Sequence, residues 1–393
     1  MVRPRVREET APDGVRPAGV RPPATASLAT VLREWGRLGL IGFGGPPAHV
    51  ALLRDLVVER RGWIDAREFE DANAACQLLP GPASTQLAIY CAQRLGGLPG
   101  ALAGGLAFIL PGLVVVLGIA ALALGDAPPE WILGVGAGAG AAVVAVIAAA
   151  GISLGRSALA GRRDLRAPAY VAAGAAAAVL VAPYVVLVLL AAGFAELAWS
   201  RRADAALHAW PVVVAAAAAL PGLAWTAFKV GALSYGGGFV IIPLMQGDAV
   251  DRHGWMTDGE FLNAVAFGQL TPGPVTHTVA LVGWAAAGAV GALLAAAVAF
   301  APSFLAIMLG GERFRRLRHN TSARAFLDGA GPAAVGAILG AAVPLAEAIG
   351  EPWQVAVLAA ASVLLALRRP PLWALAGGAI AGLLIAVAGG PLP

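Results

Sequence analysis

Long stretches of this 393-residue chain contain no Asp, Glu, Lys or Arg, among them Leu95–Gly125, Leu133–Gly155, Ala167–Ala195, Ala209–Phe228, Phe261–Gly311, Gly329–Ala346 and Pro370–Pro393. A helix crossing a bilayer core needs about 20 apolar residues. Most of these runs reach that length, and Phe261–Gly311 is long enough for two crossings. The runs are continuous and rich in Ala, Leu and Gly, without the polar–apolar alternation of a membrane β-barrel. The chain therefore reads as an all-α polytopic membrane protein. Charged residues make up 13% of it, about half the roughly 25% of a soluble domain, which argues against a soluble enzyme.

One offset organises the whole sequence. Adding 192 to a residue number in the first half finds a similar residue in the second. Gly44-Gly45 maps onto Gly236-Gly237, Arg60 and Gly62-Trp63 onto Arg252 and Gly254-Trp255, and Glu68-Phe69 onto Glu260-Phe261. Gln77 maps onto Gln269, Pro80-Gly81-Pro82 onto Pro272-Gly273-Pro274, and Ala107-Phe108 onto Ala299-Phe300. The spacing holds without a gap, so the chain is an internal duplication.

The loops of the two halves carry opposite charge. Gly155–Arg166 holds Arg156, Arg162, Arg163 and Arg166, whereas its counterpart around Glu347–Pro352 has two Glu and no Arg. Asp126–Glu130 is acidic, whereas its counterpart, Glu312–Arg324, holds Arg313, Arg315, Arg316, Arg318 and Arg324. Basic loops mark the cytoplasmic side. Two copies of one fold with opposed loop charge predict inverted-topology repeats. The expected organisation is a disordered cytoplasmic tail (1–27), a first repeat (28–202), a linking span (203–228) and a second repeat (229–393). It allows 9 to 13 crossings. The Arg residues read as topology signals, and nucleic acid is not an expected partner.

Each repeat opens with the same chemistry. The apolar pieces flanking each Pro-Gly-Pro are too short to span roughly 30 Å alone. Proline removes backbone donors and breaks a helix. Pro80-Gly81-Pro82 and Pro272-Gly273-Pro274 therefore predict re-entrant half-helices that meet at membrane depth. Broken backbone is tolerated there only where it is buried in protein or lines a cavity. The N–H groups of a helix starting at Ala83 or Val275 would face that cavity, and helix N-termini bind anions. Ser84 and Thr85, and Thr276 and His277, add side chains at the same place. Gly44-Gly45 and Gly236-Gly237-Gly238 predict a second break per repeat. Gln77 and Gln269 are amides that need partners in apolar surroundings. Kinking or packing of helices is the competing use of these Gly and Pro residues, and their matched duplication favours an anion site.

Two pairs and one histidine keep two readings each. Arg37 and Lys229, the sole lysine, either draw a dianion into the vestibule or snorkel to the interface. Glu68 and Glu260 either carry protons or complement a helix start. His277 either senses pH or donates to an anion, or is a hydrogen-bonded core residue. The five His are scattered at 49, 208, 253, 277 and 319, with no HExxH, no CxxC and no nucleotide loop. No catalytic constellation, metal site or cofactor is expected.

The stretches Phe43–Val50, Gln77–Pro82 with Gln86, Ser234–Pro243 and Gln269–Pro274 resemble the chromate ion transporter family, in its long form with both repeats in one chain. The likeness runs from Leu38 to the C-terminus. It implies a secondary transporter of the bacterial inner membrane that exports chromate, driven by proton motive force or membrane potential, and so confers chromate resistance. Sulfate or another tetrahedral oxyanion, or an anion channel, is the alternative. The implied partners are that oxyanion and the lipid bilayer, with a homodimer left open.

Overall fold

The computed structural model describes residues 25–79, 81–162, 164–200, 221–234, 238–317 and 321–393. The expected tail is therefore not described up to residue 24, nor is the linking span before residue 221. Every regular element among the described residues is helical. The first repeat supplies α1 (Leu28–Ile41), α2 (Gly45–Arg54), α3 (Ala66–Cys76), α4 (Ala83–Ala123), α5 (Glu130–Leu159), α6 (Arg166–Leu180) and α7 (Val185–Trp199). The second supplies α8 (Gly222–Leu233), α9 (Ile241–Gln246), α10 (Asp258–Leu270), α11 (Thr278–Leu317), α12 (Thr321–Glu347), α13 (Pro352–Ala366) and α14 (Pro371–Val387). Even the irregular features are duplicated. A π-helical turn follows α2 at Asp55–Arg60, and another follows α9 at Gly247–Arg252, 192 residues later. Gly62 and Gly254 both have φ of 58°.

Both long helices are folded back on themselves. In a straight helix Ala92 and Gly104 would stand about 18 Å apart. A Cβ on Gly104 would instead lie 2.3 Å from the Cβ of Ala92. The reversal comes at Gly96 and Gly97, where φ reaches 64°. Gly283 and Gly291 approach in the same way across Gly288, which has φ of 60°. Each of these helices is thus a hairpin of a short first arm and a longer second arm. The first arm of α4, residues 83–95, extends only about 20 Å. It also runs antiparallel to α3. At the open end, Glu68 of α3 bonds the Arg94 guanidinium and accepts from the Tyr90 hydroxyl at 3.1 Å. At the closed end lies Gly81, with φ of 120°. Capping fixes where the partner half-helices start. Asp65 accepts from the Arg67 N–H at 2.8 Å before α3, and Thr257 with Glu260 forms a capping box before α10.

Packing follows small residues. A Cβ on Gly39 would fall 2.6 Å from the Phe108 carbonyl, and one on the equivalent Gly231 would fall 2.1 Å from the Ala299 carbonyl. α1 and α8 thus lie in matching grooves of the second arms of α4 and α11. The helices after them are exchanged. α5 packs against α13 and α14 of the second repeat, while α12 packs against α6 and α7 of the first. Gly134 and Gly138 meet Gly382 and Gly378 where α5 crosses α14, close enough for backbone-to-backbone contact. Outward faces carry exposed Leu98, Leu102, Leu106, Leu110 and Val114 in an i, i+4 stripe. Among the described residues five helical spans are long and apolar enough to cross a bilayer, and the molecule is an integral membrane protein.

The glycine crossing is a sensitive point for stability. A Cβ on Gly138 would sit 2.0 Å from the Gly378 carbonyl. Gly138→Val forces α5 and α14 apart, and the expected destabilisation is about 1–3 kcal/mol. A lowered melting temperature of the purified protein checks this, with Gly118→Val, an open position, as the neutral comparison.

Candidate functional site

The two half-helix tips cross to the opposite repeats. The Gly273 N–H donates to the Gly42 carbonyl at the end of α1, at 2.9 Å. A Cβ on Gly81 would lie 3.0 Å from both the Gly231 carbonyl and the Ser303 hydroxyl. Between the tips is a cavity of about 520 Å³, lined by residues of both repeats.

Of the residues expected at an anion site, Gln77, Gly81, Pro82, Ser84, Gly238, Pro274 and Thr276 border this cavity. Gly44, Gly45 and Gln269 line a neighbouring cavity of about 440 Å³ that shares Pro46 and Pro47 with the first. Thr85 and His277 are fully buried beside the tips, and the Thr85 hydroxyl has no hydrogen-bond partner. Gly273 is held on Gly42, and the carbonyl of Pro272 abuts Gly112. Pro80, Gly236 and Gly237 lie outside the described residues.

The first arm of α4 begins after Pro82, whose carbonyl accepts from the Thr85 and Gln86 N–H groups at 3.0 Å. Ala83 and Ser84, the first two residues of that helix, border the cavity. The second tip brings Pro274 and Thr276 to the same space, and Ser234, buried with an unpartnered hydroxyl, joins them. No Asp, Glu, Lys or Arg appears among the described lining residues. Any anion here meets neutral donors and helix dipoles.

The four charged residues singled out from the sequence stand elsewhere. Arg37 is exposed on the outer face of α1. Lys229 is buried and bonds Asp248 at 2.5 Å, with Thr226 donating to the same carboxylate oxygen at 2.5 Å. Asp248 belongs to the π-turn after α9, so the pair ties α8 to the segment that leaves the second Gly-rich break. Glu68 is engaged by Arg94 and Tyr90 at the base of the first re-entrant hairpin. Glu260 caps α10 and borders a separate cavity of about 750 Å³ at the opposite end of the molecule.

The two repeats close differently around the site. α10 seals against α5, where Asn263 and Phe267 fill the surface over Gly136 and Gly140. α3 makes no comparable contact with α12, and the cavity opens between them past Asn73, Leu327 and Gly331. Asn73, Ser234, Asp248 and Ser303 were not singled out from the sequence. Single polar residues in apolar runs carry little signal, and only Asn73, one turn before Gln77, shares a helical face with a residue that was.

Comparison with known proteins gives this architecture its place. The family model described as chromate transporter matches residues 29–197 and 221–383. The chain belongs to the chromate transporter family. It is 32% identical to a chromate transport protein of Cupriavidus metallidurans, over 95% of this chain and 96% of that protein. It is 30% identical to a chromate transport protein of Pseudomonas aeruginosa, over 84% of this chain and 83% of that protein. No solved structure matches the chain. The relatives are transport proteins, and this chain is a membrane transporter rather than an enzyme.

The ion pair makes its own prediction. Removing one partner of a buried pair leaves an uncompensated charge and costs about 3–5 kcal/mol, whereas replacing both with apolar residues is often neutral. Lys229→Met should therefore lower the melting temperature or the folded yield sharply, and Lys229→Met with Asp248→Leu should recover most of the loss. Equal losses in the single and double variants would show that the pair is not what holds α8 to the π-turn.

Proposed function

We propose that the protein is a secondary active transporter that exports chromate from the cytoplasm by alternating access. The observation that carries the reading is the cavity bordered by the broken-helix tip of each repeat. A tetrahedral oxyanion would be held there by the Ala83 and Ser84 N–H groups, the Ser84 and Thr276 hydroxyls, and the amide of Gln77. The name borne by the full-length relatives supplies chromate as the substrate. Sulfate shares its shape and charge, so it is the natural competitor.

The placement of basic residues supports a direction of opening. Arg54, Arg60, Arg61, Arg67 and Arg94 lie on the segments of the first re-entrant hairpin and its approach, and the open cavity lies toward the C-terminal end of α5, which carries Arg156 and is followed by Arg162. Basic ends face the cytoplasm, which supports an inner-membrane protein with its N-terminus inside and its cavity open inward. An inverted arrangement of the repeats is supported by the contact of Gly105 with Phe304. A twofold axis along the helices would pair each residue with the one 192 later, whereas this pair is seven residues out of that register. Antiparallel second arms produce such a displacement. Opening to the other side would then exchange the roles of α3 and α10.

The energetics favour export. Moving one charge through 100 mV is worth about 2.3 kcal/mol. A departing dianion would therefore gain roughly 4–5 kcal/mol per 100 mV, about a thousandfold in gradient. Export needs no coupled cation, and a coupled proton would tune it.

Everted vesicles carrying the protein should accumulate chromate when an inside-positive potential is imposed, and added sulfate should compete. Gly81→Val places a side chain against Ser303 and the Gly231 carbonyl at a φ that disfavours it. It should lower uptake at least about tenfold while the protein still inserts, because a 1 Å misplacement at a site can cost about a hundredfold. Uptake indifferent to potential would remove the electrogenic export mechanism, and single-channel currents would replace a carrier with a channel.

A further inference from the structure

His49, on α2, is buried at 1% exposure and touches the substrate cavity only through Ser84. Its Nε2 lies 2.9 Å from the Gly42 carbonyl and its Nδ1 lies 3.2 Å from the Ser84 hydroxyl oxygen. A carbonyl can only accept, so Nε2 carries the hydrogen. In the neutral ring Nδ1 is then the acceptor, and the Ser84 hydroxyl must be the donor. Ser84 is the second residue of the first arm of α4, at the mouth of the proposed oxyanion site. While His49 is neutral, the only proton on that hydroxyl is turned away from the cavity. A proton added to Nδ1 reverses the bond. Nδ1–H then donates to the Ser84 oxygen, and the hydroxyl hydrogen is released toward the cavity. The same event puts a positive charge behind an anion site that has no charged lining residue of its own.

We propose that His49 is a proton-binding positioning residue that couples protonation to oxyanion binding by reorienting the Ser84 hydroxyl. This inference rests on the oxyanion reading of the cavity. The groups around His49 leave it free to act. Phe108 packs edge-on against the ring at 5.2 Å between centroids. The Gly42 carbonyl holds Nε2 and also accepts from the Gly273 N–H, so the ring is anchored to the second tip. His277, from that tip, is the titratable group that faces it electrostatically. The switch exists in one repeat only, because the position 192 residues after His49 is Ile241. By linkage, a proton that strengthens anion binding is itself held more tightly when the anion is bound. One charge-assisted hydrogen bond corresponds to roughly tenfold or more in affinity.

The test is chromate binding to the full-length protein in lipid nanodiscs, measured by calorimetry from about pH 8 downward through the range in which His49 takes up its proton. Chromate itself titrates, so the quantity read is the ratio of wild-type to His49→Gln affinity at each pH, in which the ligand's own protonation cancels. The expected ratio rises about tenfold as the pH falls. Should His49→Gln fail to fold, Ser84→Ala carries the test, with weaker binding at low pH and a shallower pH profile than wild type. A flat ratio with chromate binding intact, or a Ser84→Ala profile parallel to wild type, overturns this coupling and leaves the transport reading standing. Absence of chromate binding by the wild type at every pH overturns both.

Discussion

A peptide group in hydrocarbon has no water to bond, and that constraint shapes the whole molecule. A helix can be interrupted inside a membrane only where protein or an aqueous cavity receives the freed N–H and C=O groups. This chain interrupts its helices several times, at Gly44-Gly45, Gly81 and Gly273 among the described residues, and each interruption is received by the opposite repeat or by a cavity. The Gly273 N–H finds the Gly42 carbonyl, and Gly81 fits beneath Gly231 and Ser303. The repeats are therefore mutually dependent. Each hairpin tip contacts the α1-type helix of the other copy. The exchange of α6–α7 and α13–α14 between copies extends the same interdependence to the lateral helices.

The half-helices were legible in the sequence because they are signalled by residue types with strict backbone consequences. Pro-Gly-Pro cannot continue a helix, and its recurrence at a fixed offset removes coincidence. The reversals at Gly96-Gly97 and Gly288 were not legible. They fall inside charge-free runs in which a turn between two apolar arms and a single long helix have the same composition. Only the approach of Gly104 to Ala92 separates them. The pairing of α5 with α14 was hidden for a related reason. Gly- and Ala-rich faces recur on most helices here, and small residues license close approach without naming a partner.

Side-chain roles were harder still. Glu68 and Glu260 are equivalent in sequence and face different tasks, one clamping the base of a hairpin through Arg94 and Tyr90, the other capping its own helix. Arg37 and Lys229 are likewise equivalent, yet one is exposed and the other is buried against Asp248. The partner decides. The position 192 residues before Asp248 is Leu56, so the first repeat has no carboxylate to offer Arg37, and a buried arginine there would be unpaired. Spacing fixes which residues share a helix face, but not whether the facing element carries the complementary group.

These differences are what a duplicated transporter needs. Two identical halves would build a site with identical tips and equal closure on both sides. Here the scaffold stays symmetric in the π-turns and the Gly62 and Gly254 turns. It diverges where chemistry matters. Thr85 and His277 are equivalent positions, as are His49 and Ile241, and Pro111 and Ser303. The first tip thus has a hydroxyl bonded to the His49 imidazole, and the second carries a buried imidazole of its own. An oxyanion held as proposed would meet two unlike walls, and the His49–Ser84 pair would lie on the side of α3, the half-helix not sealed against the lateral helices.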